Sequence, residues 1–211
     1  MVGHCFRPGD TRWNSLFDAL TAIVEISDRL PTVYDTLGVT ARFSQDELEY
    51  VREYLECAKP TARALDKLQG EESTFYGILL PTLIVLRRQL LAVQGQPLRY
   101  CSRVATTFLE SVGTRFEKFQ NCRTPDGECA AIAALTLPRF KDEWMAGMSA
   151  DDKTFLFLKF KELLAIREGM LAPRIDSTPV VVDPYYTFTD VPEPSQPPQL
   201  LLYDNLAAST A

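Results

Sequence analysis

Three groups of side chains in this sequence are of a type and spacing that could act on a phosphate, a base or a metal ion. Arg12 and Trp13 are adjacent, so an indole face able to stack on an unpaired base stands beside a guanidinium able to hold a phosphate. Trp13 also begins an apolar stripe at helical spacing, and a core anchor fits that position equally well. A second group is basic: residues 73–172 carry thirteen Lys and Arg against ten Asp and Glu, whereas 44–72 carries four against eight. Any surface for phosphates therefore belongs to the middle of the chain, at Arg87, Arg88, Arg99, Arg103, Arg115, Lys118, Arg123, Arg139, Lys141, Lys159 and Lys161. The competing reading is a set of solvated helix faces with acids paired to bases one turn away. The third group is the acidic doublets Glu71-Glu72 and Asp151-Asp152, which look like metal ligands but stand where a helix end attracts acids.

Hydrolysis of a phosphodiester by paired metal ions needs about three converging carboxylates around ions roughly 4 Å apart. Nothing in the local sequence assembles such a set, and no Gly-rich phosphate loop, G-x-S-x-G elbow or H-E-x-x-H helix occurs. Enzymatic activity of this chain alone is not expected, and no cofactor is expected in it. The five cysteines, at 5, 57, 101, 122 and 129, are scattered, with no C-x-x-C pair, and the one histidine is His4. A structural zinc site is thus not expected; Cys57, Cys101 and Cys129 read as core thiols in a reducing compartment.

These residues must be held by helices. The 211 residues are 46% hydrophobic and 24% charged, enough apolar material for a folded core, and the net charge of -6 has the wrong sign for general coating of duplex DNA. Leu16, Phe17, Leu20, Ile23 and Val24 mark a helix running to Leu30, capped at Asp10 or Thr11. Ser44 and Glu47 form a capping box for a second, whose seam is Leu48, Val51, Leu55, Ala58, Ala62 and Leu65, with a kink or break predicted at Pro60 and an end at Gly70. A third, from Tyr76 to Val93, is apolar nearly all round in its first half and is expected at the centre; it is too short an apolar run for a membrane span. Further helices are expected at 99–120, 128–136 and 150–171, the last capped at Ser149, with Pro125-Asp-Gly127 as a turn. The fold class is all-α, an irregular bundle of about six helices over residues 1–172. Residues 173–211 hold seven of the fourteen prolines, no glycine, and one Arg against five acids, and read as an extended acidic tail in which 180–182 and Tyr185-Tyr186 form at most a short strand.

Four blocks resemble the hAT superfamily of DNA transposases and its BED-finger domesticated relatives. Thr11-Arg-Trp-Asn-Ser15 is similar to the family's RW segment, and Tyr54 to Gly70, with Pro60, to its L-x-P-F-x-x-A-T-x-x-L-S-G helix. Ile78 to Leu91 resembles the P-x-I-x-x-L helix that follows, and Ala133 to Lys141, AALTLPRFK, the block A-x-x-L-D-P-R-F-K, with Leu137 in place of the Asp. The resemblance implies the helical insertion that interrupts an RNase H-like core, without the catalytic Asp, Asp and Glu, the BED finger or the C-terminal dimerisation region. It implies a truncated or domesticated transposase-like protein, catalytically incompetent alone, in the nucleus or otherwise the cytoplasm. Its partners would be DNA, bound weakly, or a homodimer or related transposase-derived proteins engaged through regions outside this chain, with no membrane. On that reading Arg12, Trp13, Arg87, Arg88, Arg139 and Lys141 are the nucleic-acid contacts, and an active relative would use divalent ions such as magnesium. Two alternatives stand beside it: a fragment of an active transposase, and a helical protein-interaction scaffold with no role on nucleic acid.

Overall fold

A computed structural model describes residues 14–69, 75–168, 183–186 and 188. Among these the chain is all-α: eight α-helices joined by turns and three short 3-10 segments. They are α1 (Ser15–Glu25), α2 (Leu30–Leu37), α3 (Gln45–Leu68), α4 (Leu79–Gln94), α5 (Ser102–Arg115), α6 (Glu117–Gln120), α7 (Pro125–Leu135) and α8 (Ala150–Glu168). They divide into two compact units, one of residues up to 70 together with 86–112, the other of 71–85 together with residues from 113 onward.

In the first unit α1 is shorter than its apolar pattern suggests. It stops at Glu25, the chain tightens into a 3-10 turn at Ser27–Arg29, and α2 starts at Leu30 with Pro31 in its first turn. Proline has no amide to give and its ring collides with the carbonyl four residues back, so one helix cannot run through Pro31, whereas a first turn accepts it. The N-cap of α1 is Asn14, not Asp10 or Thr11, and Leu16 is half exposed rather than on the buried face. Asn14 does another job: its Nδ2 donates to the Ala62 carbonyl at 3.0 Å and to Asp66 Oδ1 at 2.7 Å, tying the start of α1 to α3.

The Ser44 box is formed in full, with Glu47 N donating to Ser44 Oγ at 3.2 Å and Ser44 N to Glu47 Oε2 at 2.8 Å. From there α3 runs unbroken through Pro60, which is buried, and the break expected at that residue does not occur. The cost of an interior proline, about 3 kcal/mol, is outweighed by the seam of Leu48, Val51, Leu55, Ala58 and Ala62, all buried. Gly70 lies outside the described residues. Cys57, Val93, Cys101 and Ala105 form one core cluster, flanked by Tyr54, Leu98, Tyr100, Val104 and Phe108.

In the second unit the 3-10 turn Tyr76–Ile78 packs against α7, and α7 against both α6 and α8. Gly77 is required at that crossing, because a Cβ there would overlap the Ala133 carbonyl oxygen and come within 2.8 Å of Leu137 Cδ1. The expected Pro125-Asp-Gly turn is instead the first turn of α7. Thr124 Oγ1 accepts from Gly127 N at 3.3 Å, and Pro125 occupies the first helical position, where its missing amide costs nothing. Phe140, Trp144, Met145 and Leu156 are almost wholly enclosed. Tyr76–Gln94 is long and apolar enough to cross a membrane by length and composition, but 56% of its window is buried within the protein.

Candidate functional site

The LPRFK block follows α7 and makes the best-defined cluster of the second unit. After Leu135 the chain turns twice, with Leu137 N donating to the Ala134 carbonyl and Phe140 N to the Leu137 carbonyl. Those turns send the Phe140 ring inward, 1% exposed, and leave the Arg139 head outside. Lys141 then adopts a φ of 47°, a left-handed conformation uncommon for a residue with a Cβ. Its carbonyl accepts from the Trp144 indole Nε1 at 3.2 Å, so a buried donor is satisfied by this backbone turn.

A segment of the acidic tail lies on this block. The Tyr186 ring meets Phe140 edge-on at 4.6 Å between centroids, and its hydroxyl is 2.9 Å from Thr82 Oγ1, a fully buried hydroxyl on α4. Arg139 covers the pair, its guanidinium carbon 4.7 Å from the Phe140 centroid and 5.6 Å from that of Tyr186. Tyr185 packs edge-on against Tyr186 at 4.9 Å, and Phe188 stacks on it at 6.4 Å. Tyr186 thus closes a turn, its amide donating to the Asp183 carbonyl at 3.0 Å, and packs on Phe140 and Thr82 rather than pairing as a strand; residues 180–182 lie outside the described residues.

Four of the other basic candidates have acids nearby. Arg99 lies 3.4 Å from Glu49 and 3.8 Å from Asp46, Lys118 is 3.5 Å from Asp126, Arg123 is 2.9 Å from Asp152, and Lys159 is 3.1 Å from Glu162. Only the last joins neighbours one turn apart; the others cross between segments. Arg87 and Arg88 are half-buried on α4, and burial pulls the Arg88 guanidinium below its ordinary value. Arg103, Arg115, Lys141 and Lys161 are exposed. Arg12 and Trp13 lie outside the described residues, as do His4 and the Glu71-Glu72 doublet. Arg87 and Arg88 belong to the first unit, Arg139 and Lys141 to the second.

The remaining titratable groups read as structural. Asp152 caps α8, its backbone amide donating to Ser149 Oγ at 3.1 Å while its carboxylate accepts from Ser149 and Arg123. Glu53 receives three backbone amides, those of Arg99 at 2.9 Å, Tyr100 at 2.7 Å and Cys101 at 3.0 Å, at the entry to α5. Desolvation raises its carboxyl pKa, but those donors together with the Arg99 charge outweigh it and hold it below the ordinary value. Cys57 and Cys101 are core thiols, as expected, whereas Cys129 is exposed on α7. The helix face carrying Cys129 is not the one that buries Ala130, Ala131 and Ala134, and the Ala-rich sequence hid that choice. Among the described residues no three His, Cys, Asp or Glu side chains gather as metal ligands.

Beyond this cluster α8 carries a run of exposed apolar side chains. Leu156 is enclosed where α8 packs on α7, but every side chain from 161 to 167 is exposed, with Leu163 at 46% and Ile166 at 59%, preceded by Leu158 at 61%. Comparison with known proteins finds no family model, no curated protein and no solved structure that matches the chain.

Proposed function

We propose that this chain is a transposase-derived helical module, resembling the hAT insertion region, that works in the nucleus by association and does not cut DNA unaided. The observation that carries this reading is the setting of its cations. Arg99, Lys118, Arg123 and Lys159 each stand within 4 Å of a carboxylate, and Arg139 lies over aromatic rings. Exposed ion pairs add little stability, but a neighbouring acid cancels much of the positive potential that would draw a phosphate. Such a surface favours weak, salt-sensitive contact with DNA. The bare apolar side chains of α8 favour association with protein, since a run of exposed Leu and Ile at helical spacing is costly to leave in water.

The test uses the purified full chain with a DNA hairpin and magnesium. The expected result is no strand nicking, and binding in the non-specific range of about 10⁻⁴ to 10⁻⁶ M that weakens further as salt rises. Magnesium-dependent cleavage, or nanomolar binding at physiological salt, overturns the proposal.

A further inference from the structure

The exposed end of α8 is self-complementary, and we infer that it is a contact surface for a second copy of this chain, in which two α8 helices lie antiparallel about a two-fold axis between Leu164 and Ala165. The inference rests on the interaction-module reading and names the partner. In such a pair the axis exchanges residues equally distant from it. Leu163 therefore meets Ile166 of the second copy, and Glu162 meets Arg167 of the second copy, each contact occurring twice. The four residues form one face, since Glu162 and Ile166, and likewise Leu163 and Arg167, are four apart on the helix. An apolar pair is thus flanked on both sides by opposite charges, the arrangement that sets orientation in helix pairs. The register is specified as well as the direction. Moving the axis onto Leu164 itself would set Lys161 against Arg167, like charge against like.

All four side chains are available. Each is exposed, Leu163 and Ile166 by about half their surface, and the ion pair of Lys159 with Glu162 at 3.1 Å lies on the surface, where it is readily rearranged. Lys159 precedes Leu163 by four residues and borders the same face, so Glu162 can accept from it and from Arg167 of the second copy together. The patch is a few turns long, smaller than the roughly 1,000 Å² of a tight interface, so the dimer is a concentration-dependent one.

Sedimentation equilibrium of the full chain, from micromolar to several hundred micromolar, reads this directly. The expected result is a monomer–dimer equilibrium that Glu162→Arg weakens by about tenfold or more, because both charge contacts become repulsive at once. The double variant Glu162→Arg/Arg167→Glu restores the pairing, and an equimolar mixture of the Glu162→Arg and Arg167→Glu single variants forms the heterodimer in preference to either homodimer. Circular dichroism checks that each variant retains its helices, as surface substitutions should. A chain that remains monomeric throughout, or a dimer indifferent to Glu162→Arg or not rescued by the charge swap, overturns the inference. The module reading fails separately, by cleavage or tight binding of DNA.

Discussion

The hydroxyl of Tyr186 donates its hydrogen bond to Thr82 rather than accepting one. Thr82 Oγ1 gives its single proton to the Ile78 carbonyl, 2.7 Å away within α4 and its preceding turn, so the oxygen 2.9 Å off on Tyr186 must supply the other. A residue of the acidic tail thereby meets the lone pair of a buried hydroxyl 104 residues earlier, in the apolar first half of α4.

Tyr186→Phe keeps the ring against Phe140 and removes only that proton. It should lower unfolding stability by about 1 kcal/mol, the net worth of one neutral hydrogen bond. Tyr186→Ala, which also removes the aromatic contact, should cost more. Urea unfolding curves measure both; a Tyr186→Phe variant as stable as the parent would mean that the hydroxyl contact contributes nothing.

Gly77→Ala should destabilise the second unit by roughly 1–3 kcal/mol, since the added methyl meets the backbone of Ala133, which cannot swing aside as a side chain does. Gly95→Ala is the control: its nearest neighbour is the Ala92 carbonyl oxygen at 3.6 Å, an ordinary contact. Thermal melts that shift equally for the two would show that the crossing yields more easily than its geometry says.

Thiol labelling should discriminate sharply. Burial pushes the Cys57 thiol up to about 11, with the Cys101 thiol and the Glu53 and Glu56 charges acting in the same direction, and it raises Cys101 too. At pH 8 only about a thousandth of Cys57 is thiolate, the reactive form. Peptide mapping after brief iodoacetamide treatment should find Cys129 modified before Cys57 and Cys101, which react only after denaturation. Early labelling of Cys57 would contradict its enclosure.

Glu53 predicts a pH dependence of defined sign. Its folded-state pKa lies below the unfolded value, so its contribution is fully present above the ordinary carboxylate range and is lost as pH falls through the folded value. Glu53→Gln should therefore melt a few degrees below the parent at pH 7, and the gap should narrow on acidification below pH 4. A gap that stays constant with pH would assign the effect to packing rather than charge.

What could be read in the sequence was local. The Ser44 and Ser149 caps join residues three apart, and the seam of α3 follows a single period, so both were visible without the fold. The Pro125-Asp-Gly misreading is also local: the same three residues suit a turn or a first helical turn, and what decides is the Thr124 cap together with the nearby Asn121 carbonyl, which excludes a Cβ at Gly127. The site was less legible. LPRFK was singled out, but the docking of Tyr186 depends on a distant contact that no periodicity encodes. The ion pairs of Arg99 and Arg123 likewise span 50 and 29 residues, beyond any rule about one helix turn. Likewise, the apolar side chains of α8 gave no hint from spacing that packing ends halfway along the helix.

The left-handed turn at Lys141 gives the second unit an optical signature. With its indole enclosed and its nitrogen bound to a fixed main-chain oxygen, Trp144 sits in a dry, rigid setting whose emission lies toward the blue. Loosening of the LPRFK block would admit water to that ring and shift the light toward the red. In a Trp13→Phe background the spectrum becomes a one-residue gauge of that unit, separable from the helical signal of the whole chain.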